Sequence, residues 1–401
     1  MPTSNLLRIL GYYKVYFLTA FFKPNKLFVE LKTQDDNYVC PKCHTRDISL
    51  YGKKKRTFRD LSITNRQFYI VYHRHRLKCP VCGVLSEHLS FADDYSRYTR
   101  RFERYVFELC QLLPISDVAK HLKLSWDTVK EIDKKYLEKK YQKPNYKNLS
   151  LIAVDEISIG KFHKYLTIVL NLQTGQIVYV GNERKKETLD AFFKAIGHVR
   201  CRRIKAIAMD CWDPYIASAT EYLGQDKIVF DKFHIVKNYG KVIDKIRIAE
   251  FSKADLDSRE IIKGTKYLLL YNHENLKNES QRNRLKAVLE LNENINLSYI
   301  LKDELKQVWS HDNQDQMELA LNNWIATAKT SELKPLIKFA EMLEHYKYGI
   351  LNYCTYPIST GKLEGTNNKI KVLKRRAYGF HDMEYLKLKL FDLHHNNSKS
   401  R

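Results

Sequence analysis

The chain has 401 residues, of which 44% are hydrophobic and 29% charged, and carries a formal net charge of +23 with a pI of about 9.4. That length suits about two to four domains, the composition excludes a disordered chain, and a field of that sign draws polyanions towards it. Residues 1–150 hold 29 Lys and Arg against 15 Asp and Glu, so sequence-specific docking to nucleic acid is expected in the N-terminal third.

The first 35 residues form an N-terminal extension that is apolar and basic and carries no usable motif. The stretch Leu6–Phe22 is broken by Arg8 and Lys14 and falls short of the ~18 apolar residues of a spanning helix. It also lacks a small-residue cleavage site, which argues against a secretory signal. Neither a membrane nor an oxidising compartment is expected. Four of the eight cysteines form two CxxC pairs and four stand singly, the usage of a reducing compartment with a metal site.

Residues 36–90 are predicted to be a zinc ribbon. Cys40-Pro41-Lys42-Cys43 and Cys79-Pro80-Val81-Cys82 each place two thiolates on one side of a tight turn, and together they complete a tetrahedral soft-ligand site. Gly83 follows where the turn needs a permissive backbone, and His44 is a rival for one ligand position. Four thiolates leave no open position, so the single zinc is structural. Phe68–Tyr72 reads as a strand. Lys53, Lys54, Lys55, Arg56, Arg59, Arg74 and Arg76 between the knuckles suit contact with phosphates.

Residues 97–142 switch to helical periodicity and are predicted to form a helix-turn-helix. Ile115–Leu122 and Ser125–Ile132 supply the two helices, with Val118, Leu122, Leu124, Val129 and Ile132 as the seam, Ala119 at the close approach, and Ser116 and Ser125 as N-caps. The second helix would enter the major groove of double-stranded DNA with Trp126, Asp127, Thr128 and Lys130 near its leading end. Tyr141–Ser150, which contains Pro144, reads as a linker.

From Leu151 the periodicity is that of an α/β domain. Strands are predicted at Leu151–Ile159, Tyr165–Leu172 and Gln176–Val180, then a helix at Glu187–Ile196, a strand at Ile204–Met209, a helix at Pro214–Leu223 and a strand at Lys227–Phe230. That order is the one of an RNase H-like core, whose first part would span 150–234. A helical stretch at 235–353 would interrupt it, residues 354–378 would supply its last helix, and 379–401 a C-terminal helix and tail.

Three carboxylates stand out by placement. Asp155 lies within an apolar strand, Asp210 ends another, and Glu364 opens the late helix. A carboxylate in a buried strand is costly without compensation, and a divalent cation supplies it. Two hard cations about 4 Å apart would suit strand cleavage, and carboxylate oxygens are ligands for magnesium or manganese. Asp231, after the fifth strand, is a rival for the second position, and His234 beside it an auxiliary group. Glu364, Asn368, Lys371 and Arg375 share a helical face, with Lys374 and Arg376 extending a patch for phosphate contacts. Trp309 and Trp324 in the helical stretch read most plainly as core residues.

At these residues the chain resembles the ISL-three family of bacterial insertion-sequence transposases, within the DDE group. The resemblance rests on Ala153-Val154-Asp155-Glu156, Met209-Asp210-Cys211-Trp212-Asp213-Pro214-Tyr215, Asp231-Lys232-Phe233-His234, Ser359 through Asn368, and Arg376-Ala377-Tyr378-Gly379, and it covers the chain from about residue 36. It implies an enzyme that cleaves and joins DNA strands, with Asp155, Asp210 and Glu364 as the catalytic triad. It also implies N-terminal domains that read terminal inverted repeats, target DNA as second substrate, a homodimer or larger assembly on DNA, and a cytoplasmic, nucleoid-associated protein. A non-catalytic DNA-binding regulator has no use for the three carboxylates. An RNase H-type nuclease acting on RNA–DNA hybrids has no use for two DNA-reading domains.

Overall fold

The computed structural model describes residues 11–12, 15–33, 38–142, 145–159, 165–271, 273–276, 278–358 and 360–393. Pro144 in the expected linker, and the ends of the N-terminal extension and C-terminal tail, lie outside them. The chain divides into two compact units, Met1–Gln142 and Lys143–Arg401.

In the first unit five strands form one sheet: β1 (Val15–Lys23), β2 (Lys26–Thr33), β3 (Ser49–Ile63), β4 (Arg66–Cys79) and β5 (Gly83–Ser86). The order is β1-β2-β4-β3, with β5 on the end of β4. The N-terminal stretch, from which no element is expected, thus supplies a hairpin. Asn25 turns it at φ 58°, and β2 runs parallel to β4 from Lys26 opposite Gln67 to Leu31 opposite Tyr72. Leu31, Phe58, Phe68, Ile70 and Tyr72 close a core on one face. Among the described residues three helices follow, α1 (Arg100–Leu112), α2 (Ile115–Leu122) and α3 (Trp126–Lys140). Phe102, Val106, Val118 and Val129 are fully buried between them, at roughly 1.5–3 kcal/mol for each large side chain.

Sheet and helices are locked together. Asp60 is fully buried and accepts hydrogen bonds from Thr99 Oγ1 (2.7 Å), Arg101 and Tyr12. Arg59 donates to the Leu122 carbonyl at 2.6 Å and lies over the Phe102 ring. Arg74 is equally buried and donates to the Glu87 carbonyl. Both arginines, read from the sequence as phosphate contacts, are structural.

The second unit is built on the sheet β10-β9-β6-β7-β8: β6 (Leu151–Ser158), β7 (Tyr165–Asn171), β8 (Ile177–Asn182), β9 (Ala206–Met209) and β10 (Ile228–Phe230). The first three form an antiparallel meander, and β9 and β10 run parallel to β6. Between them lie α4 (Lys186–Ile196), α5 (His198–Arg203) and α6 (Asp213–Leu223). A long helical stretch follows to residue 355, made of α7 (Lys232–Lys253), α8 (Leu256–Ile262), α9 (Lys266–Leu270), α10 (Glu279–Leu291), α11 (Glu293–Gln307), α12 (Gln314–Thr330), α13 (Lys334–His345) and α14 (Lys347–Thr355). After it come α15 (Gly361–Arg376) and α16 (Met383–Asp392).

One face of the sheet packs on α4, α6 and α7, and its buried cluster continues without a break through the long helical stretch to Leu351. That stretch therefore shares its core with the sheet. The other face carries Ala153, Ile168, Ala208 and Val229 against Leu363 and Ile370 of α15 and Leu386 and Leu390 of α16. Among the described residues no helix is long and apolar enough to cross a membrane.

Candidate active site and metal knuckles

Side-chain alternation sets which face each carboxylate occupies. On β6, Ile152 and Val154 enter the α7 side and Ala153 the α15 side, so Asp155 belongs with α15. The same parity follows from Met209 and Ala208 for Asp210, and from Phe230 and Val229 for Asp231. Ala153 lies opposite Ala208, and Met209 opposite Phe230. Asp155, inside β6, and Asp210 and Asp231, directly after β9 and β10, thus stand side by side across three adjacent parallel strands.

Their partners come from both flanking helices. Asp155 is buried, and its two oxygens accept from the Glu156 backbone N–H (2.8 Å) and from Asn367 Nδ2 (2.5 Å). Burial holds its pKa above the ordinary carboxylate range; the Asn367 bond opposes this and the nearby Asp210 charge adds to it. Asp231 caps α7, accepting from the Phe233 N–H at 2.9 Å and from Thr360 Oγ1 at 2.9 Å. Burial pushes its pKa up, but bonds from His234, Thr360 and Phe233 outweigh this and leave it low. His234 Nδ1 lies 2.6 Å from Asp210 and 2.8 Å from Asp231. Burial would lower the imidazole pKa, yet these two carboxylates raise it to about 10.

Asp155, Asp210 and His234 bring ligand atoms within 4.8 Å of one another. The cleft beside them, about 110 Å³, is lined by Glu156, Asp210, Trp212, Asp231, His234 and Asn238 among others. Glu364 is exposed on the first turn of α15 and stands outside that group. Asn368, Lys371 and Arg375 are exposed with it. The sheet-facing side of α15 is Leu363, Thr366 and Ile370, flanked by Asn367. Lys374, expected among the phosphate contacts, donates its amine to the Ser158 carbonyl at the end of β6. Asn367, rather than its neighbour Asn368, is the amide that meets the site; the signal for it in the sequence is its place beside the apolar stripe 363, 366, 370. Trp309 and Trp324 are both buried, and Trp324 Nε1 donates to the Leu301 carbonyl at 2.7 Å.

In the first unit Cys40, Cys43, Cys79 and Cys82 converge with all four sulfurs within 4.8 Å. The knuckles are built alike. His44 at φ 60° follows Cys43 and Gly83 at φ 79° follows Cys82, so His44 occupies a turn position and the cysteines complete the set without it. The Cys43 backbone N–H is the main cause that draws the Cys40 thiol down to about 6, and the Cys82 N–H donates to Cys79 Sγ at 3.4 Å.

In the helix pair, Ser125 caps α3 by accepting from the Thr128 N–H at 3.2 Å, and its hydroxyl lies 2.8 Å from Thr128 Oγ1. Pro114, not Ser116, is in the cap position of α2. Trp126 is half exposed, with the Lys130 amine 5.8 Å from its ring centroid.

Comparison with known proteins agrees with this order of parts. A family described as a transposase matches residues 152–390, the helix-turn-helix domain of transposase family ISL3 matches 87–137, and the zinc-finger of transposase IS204/IS1001/IS1096/IS1165 matches 36–82. The chain is 35% identical to the transposase for insertion sequence element IS1001 of Bordetella parapertussis, over 91% of this chain and 90% of that one. It is 25% identical to the transposase for insertion sequence element IS1557 of Mycobacterium tuberculosis, over 86% of this chain and 83% of that one.

Proposed function

The chain belongs to the ISL3 family of insertion-sequence transposases, and from that premise we propose that Asp155, Asp210 and Glu364 hold two magnesium or manganese ions for cleavage and transfer of DNA strands. The observation that carries the reading is the meeting of Asp155 and Asp210 across the adjacent parallel strands β6 and β9. The five-stranded order, with helices on both faces, supports an RNase H-like core with 235–353 as its helical insertion. Residues 36–90 and 97–142 are the zinc ribbon and the helix-turn-helix that dock on terminal inverted repeats, with the exposed Trp126 and the half-buried Lys130 leading and the Thr128 methyl directed to a base edge.

The donor set fits hard cations. Carboxylate oxygens dominate it, and Asn367 Oδ1, on the side chain that binds Asp155, is buried with no hydrogen-bond partner among the described residues. Asp155 and Asp210 would hold the ions from the sheet and Glu364 from α15, one helical turn before Asn367. Bound divalent cations activate the attacking oxygen and stabilise the leaving one. The chain's own groups do the rest: Asn367 and the Glu156 N–H fix the plane of the Asp155 carboxylate, and His234 spans Asp210 and Asp231. Thr360 ties the start of α15 to Asp231. Among the described residues the strand carboxylates Asp155 and Asp210 meet in a single group, whereas an element has two ends to cut, which favours a homodimer or larger assembly on DNA.

The test is incubation with DNA carrying the element's ends and magnesium, followed by mapping of the cut strands. Cuts at the ends that vanish on chelation are expected, with binding that weakens steeply as salt rises. Binding without cuts would leave a regulator. Cuts in RNA–DNA hybrids regardless of end sequence would leave an RNase H-type nuclease.

Lys371 and Arg375 provide a second test. They stand on the Glu364 side of α15, where positive groups would meet the scissile phosphates. Replacing either with Ala is expected to slow single-turnover cleavage at saturating DNA by about tenfold, or roughly 1.4 kcal/mol. Unchanged rates with weaker binding would reduce them to non-specific attraction.

A further inference from the structure

Beside the carboxylate cleft, the connection from β8 to α4 is held more firmly than a strand-to-helix link requires. Glu183 adopts φ 66°, a left-handed conformation that costs a residue with a β-carbon about 1 kcal/mol. Its N–H donates to the Tyr165 carbonyl at 2.9 Å, and its carbonyl accepts from Thr167 Oγ1 at 2.6 Å. Thr167 Oγ1 in turn accepts from the buried Tyr215 hydroxyl at 2.7 Å. Thr188 Oγ1 donates to the Asn182 carbonyl at 2.8 Å. Gly181 makes room for this, because a β-carbon there would come within 2.3 Å of Thr188 Cγ2. Trp212 Nε1 donates to the Arg184 carbonyl at 3.1 Å.

These bonds fix the backbone of residues 182–184, which carries the Arg184 side chain. The Arg184 guanidinium carbon lies 4.4 Å from the Tyr165 ring centroid and 4.5 Å from that of Trp212. The two rings fix its plane and leave only its edges for hydrogen bonds. One edge nitrogen faces Glu156 Oε1 at 3.4 Å. Among the described residues no other acceptor meets the guanidinium, whose side chain is 33% exposed. A partly exposed pair of that length contributes at most about 1 kcal/mol, which would barely offset the Glu183 backbone. Neutralising Glu156 is therefore too small a task for the construction. Glu156 and Trp212 also line the cleft with Asp210, Asp231 and His234, so a DNA strand reaching Asp155 meets a wall of carboxylates.

We propose that Arg184 binds a backbone phosphate of the strand entering the cleft, presenting its free guanidinium edge while Tyr165 and Trp212 fix its plane. The inference rests on reading that cleft as the catalytic site. It gives a role to the Trp212 indole and the Tyr215 hydroxyl, which hold the segment at the Arg184 carbonyl and, through Thr167, at the Glu183 carbonyl, and it requires Arg rather than Lys, because only a planar fork can be clamped and still grip two phosphate oxygens.

The experiment replaces the phosphates around the cleavage point one at a time with uncharged methylphosphonates, and reads binding and single-turnover cleavage for wild type, Arg184→Gln and Arg184→Lys. At one position neutralisation is expected to weaken wild type by about tenfold and to add nothing in Arg184→Gln, with Arg184→Lys recovering only part of the loss. Multiplying losses at every position would overturn the proposal, as would full recovery of wild-type activity in Arg184→Gln combined with Glu156→Gln. If Arg184→Gln fails to fold, Arg184→Lys, which keeps the charge, carries the same comparison. Asp155→Asn is run alongside: if it still cleaves, the reading of the cleft fails whatever the scan shows, and if it is inactive, the scan judges Arg184 alone.

Discussion

Asp155→Asn and Asp210→Asn are each expected to lower single-turnover strand cleavage by about a thousandfold or more, roughly 4 kcal/mol in the barrier, while end binding stays within about twofold. In the proposed division docking belongs to the basic N-terminal unit, whereas metal ligation needs the carboxylate charge. Asp155→Asn has a second signature. Burial and Asp210 hold the Asp155 pKa above its ordinary value, so in chelated protein the ionised form costs stability at neutral pH. The sign follows from linkage: a carboxyl whose folded pKa is raised binds its proton more tightly folded than unfolded, and stability grows as pH falls. The variant's amide oxygen would still accept from the Glu156 N–H, and its NH2 would donate to Asn367 Oδ1 once that amide turns over, so the metal-free variant should melt no lower than wild type. A variant that is inactive because it is misfolded would melt lower. Glu364→Gln should match the two aspartates in cleavage. Near-normal cleavage in any one of the three would remove it from the ligand set, and Asp231 would be the next carboxylate to replace.

Metal removal at the four cysteines is the other large effect. Fully reduced protein should carry about one zinc per chain, and Cys40→Ser or Cys82→Ser should abolish its uptake and weaken end binding. Structural zinc in comparable small sites contributes about 10 kcal/mol or more of folding free energy. The loss should not melt the whole sheet, because Leu31, Phe58, Phe68 and Ile70 form a core of their own. Hydrogen exchange should accelerate at the knuckles and β5, with the centre of β4 less affected. Elemental analysis finding no zinc in folded, reduced protein would sink the site.

The most legible features in the sequence are those that are costly to place anywhere else. A carboxylate that ends an apolar strand, or two CxxC pairs in a chain of few cysteines, has few inexpensive explanations. The run from Leu151 to Phe230 is readable because each strand is short and bounded by turn residues, and the observed strands fall within about two residues of those expected. The β1–β2 hairpin is not readable, because Val15–Lys23 is largely apolar without alternation and β2 finds its parallel partner about 40 residues later, in β4. On α15 the polar stripe reads as the face that meets the site. Polar stripes mark solvent by construction, however, and the buried positions 363, 366 and 370 set the helix rotation. Glu364 therefore stands on the solvent shoulder, and Asn367 reaches Asp155. The caps show the same limit: Ser116 has the right chemistry for a cap, but Pro114 already fixes the backbone where α2 begins.

Asp155 meets Asn367 across 212 positions of chain, and Asp231 meets Thr360 across 129. During synthesis the DNA-docking unit, compact by residue 142, emerges and folds first. The groups that complete the cleft arrive after almost everything else has left the ribosome. With docking assigned to the first unit and the cut to that cleft, as proposed above, a chain released early would occupy an element's ends without the means to cut them. On that reading interrupted translation would make a competitor of the intact enzyme rather than an unguarded nuclease, a restraint written into the order of the residues.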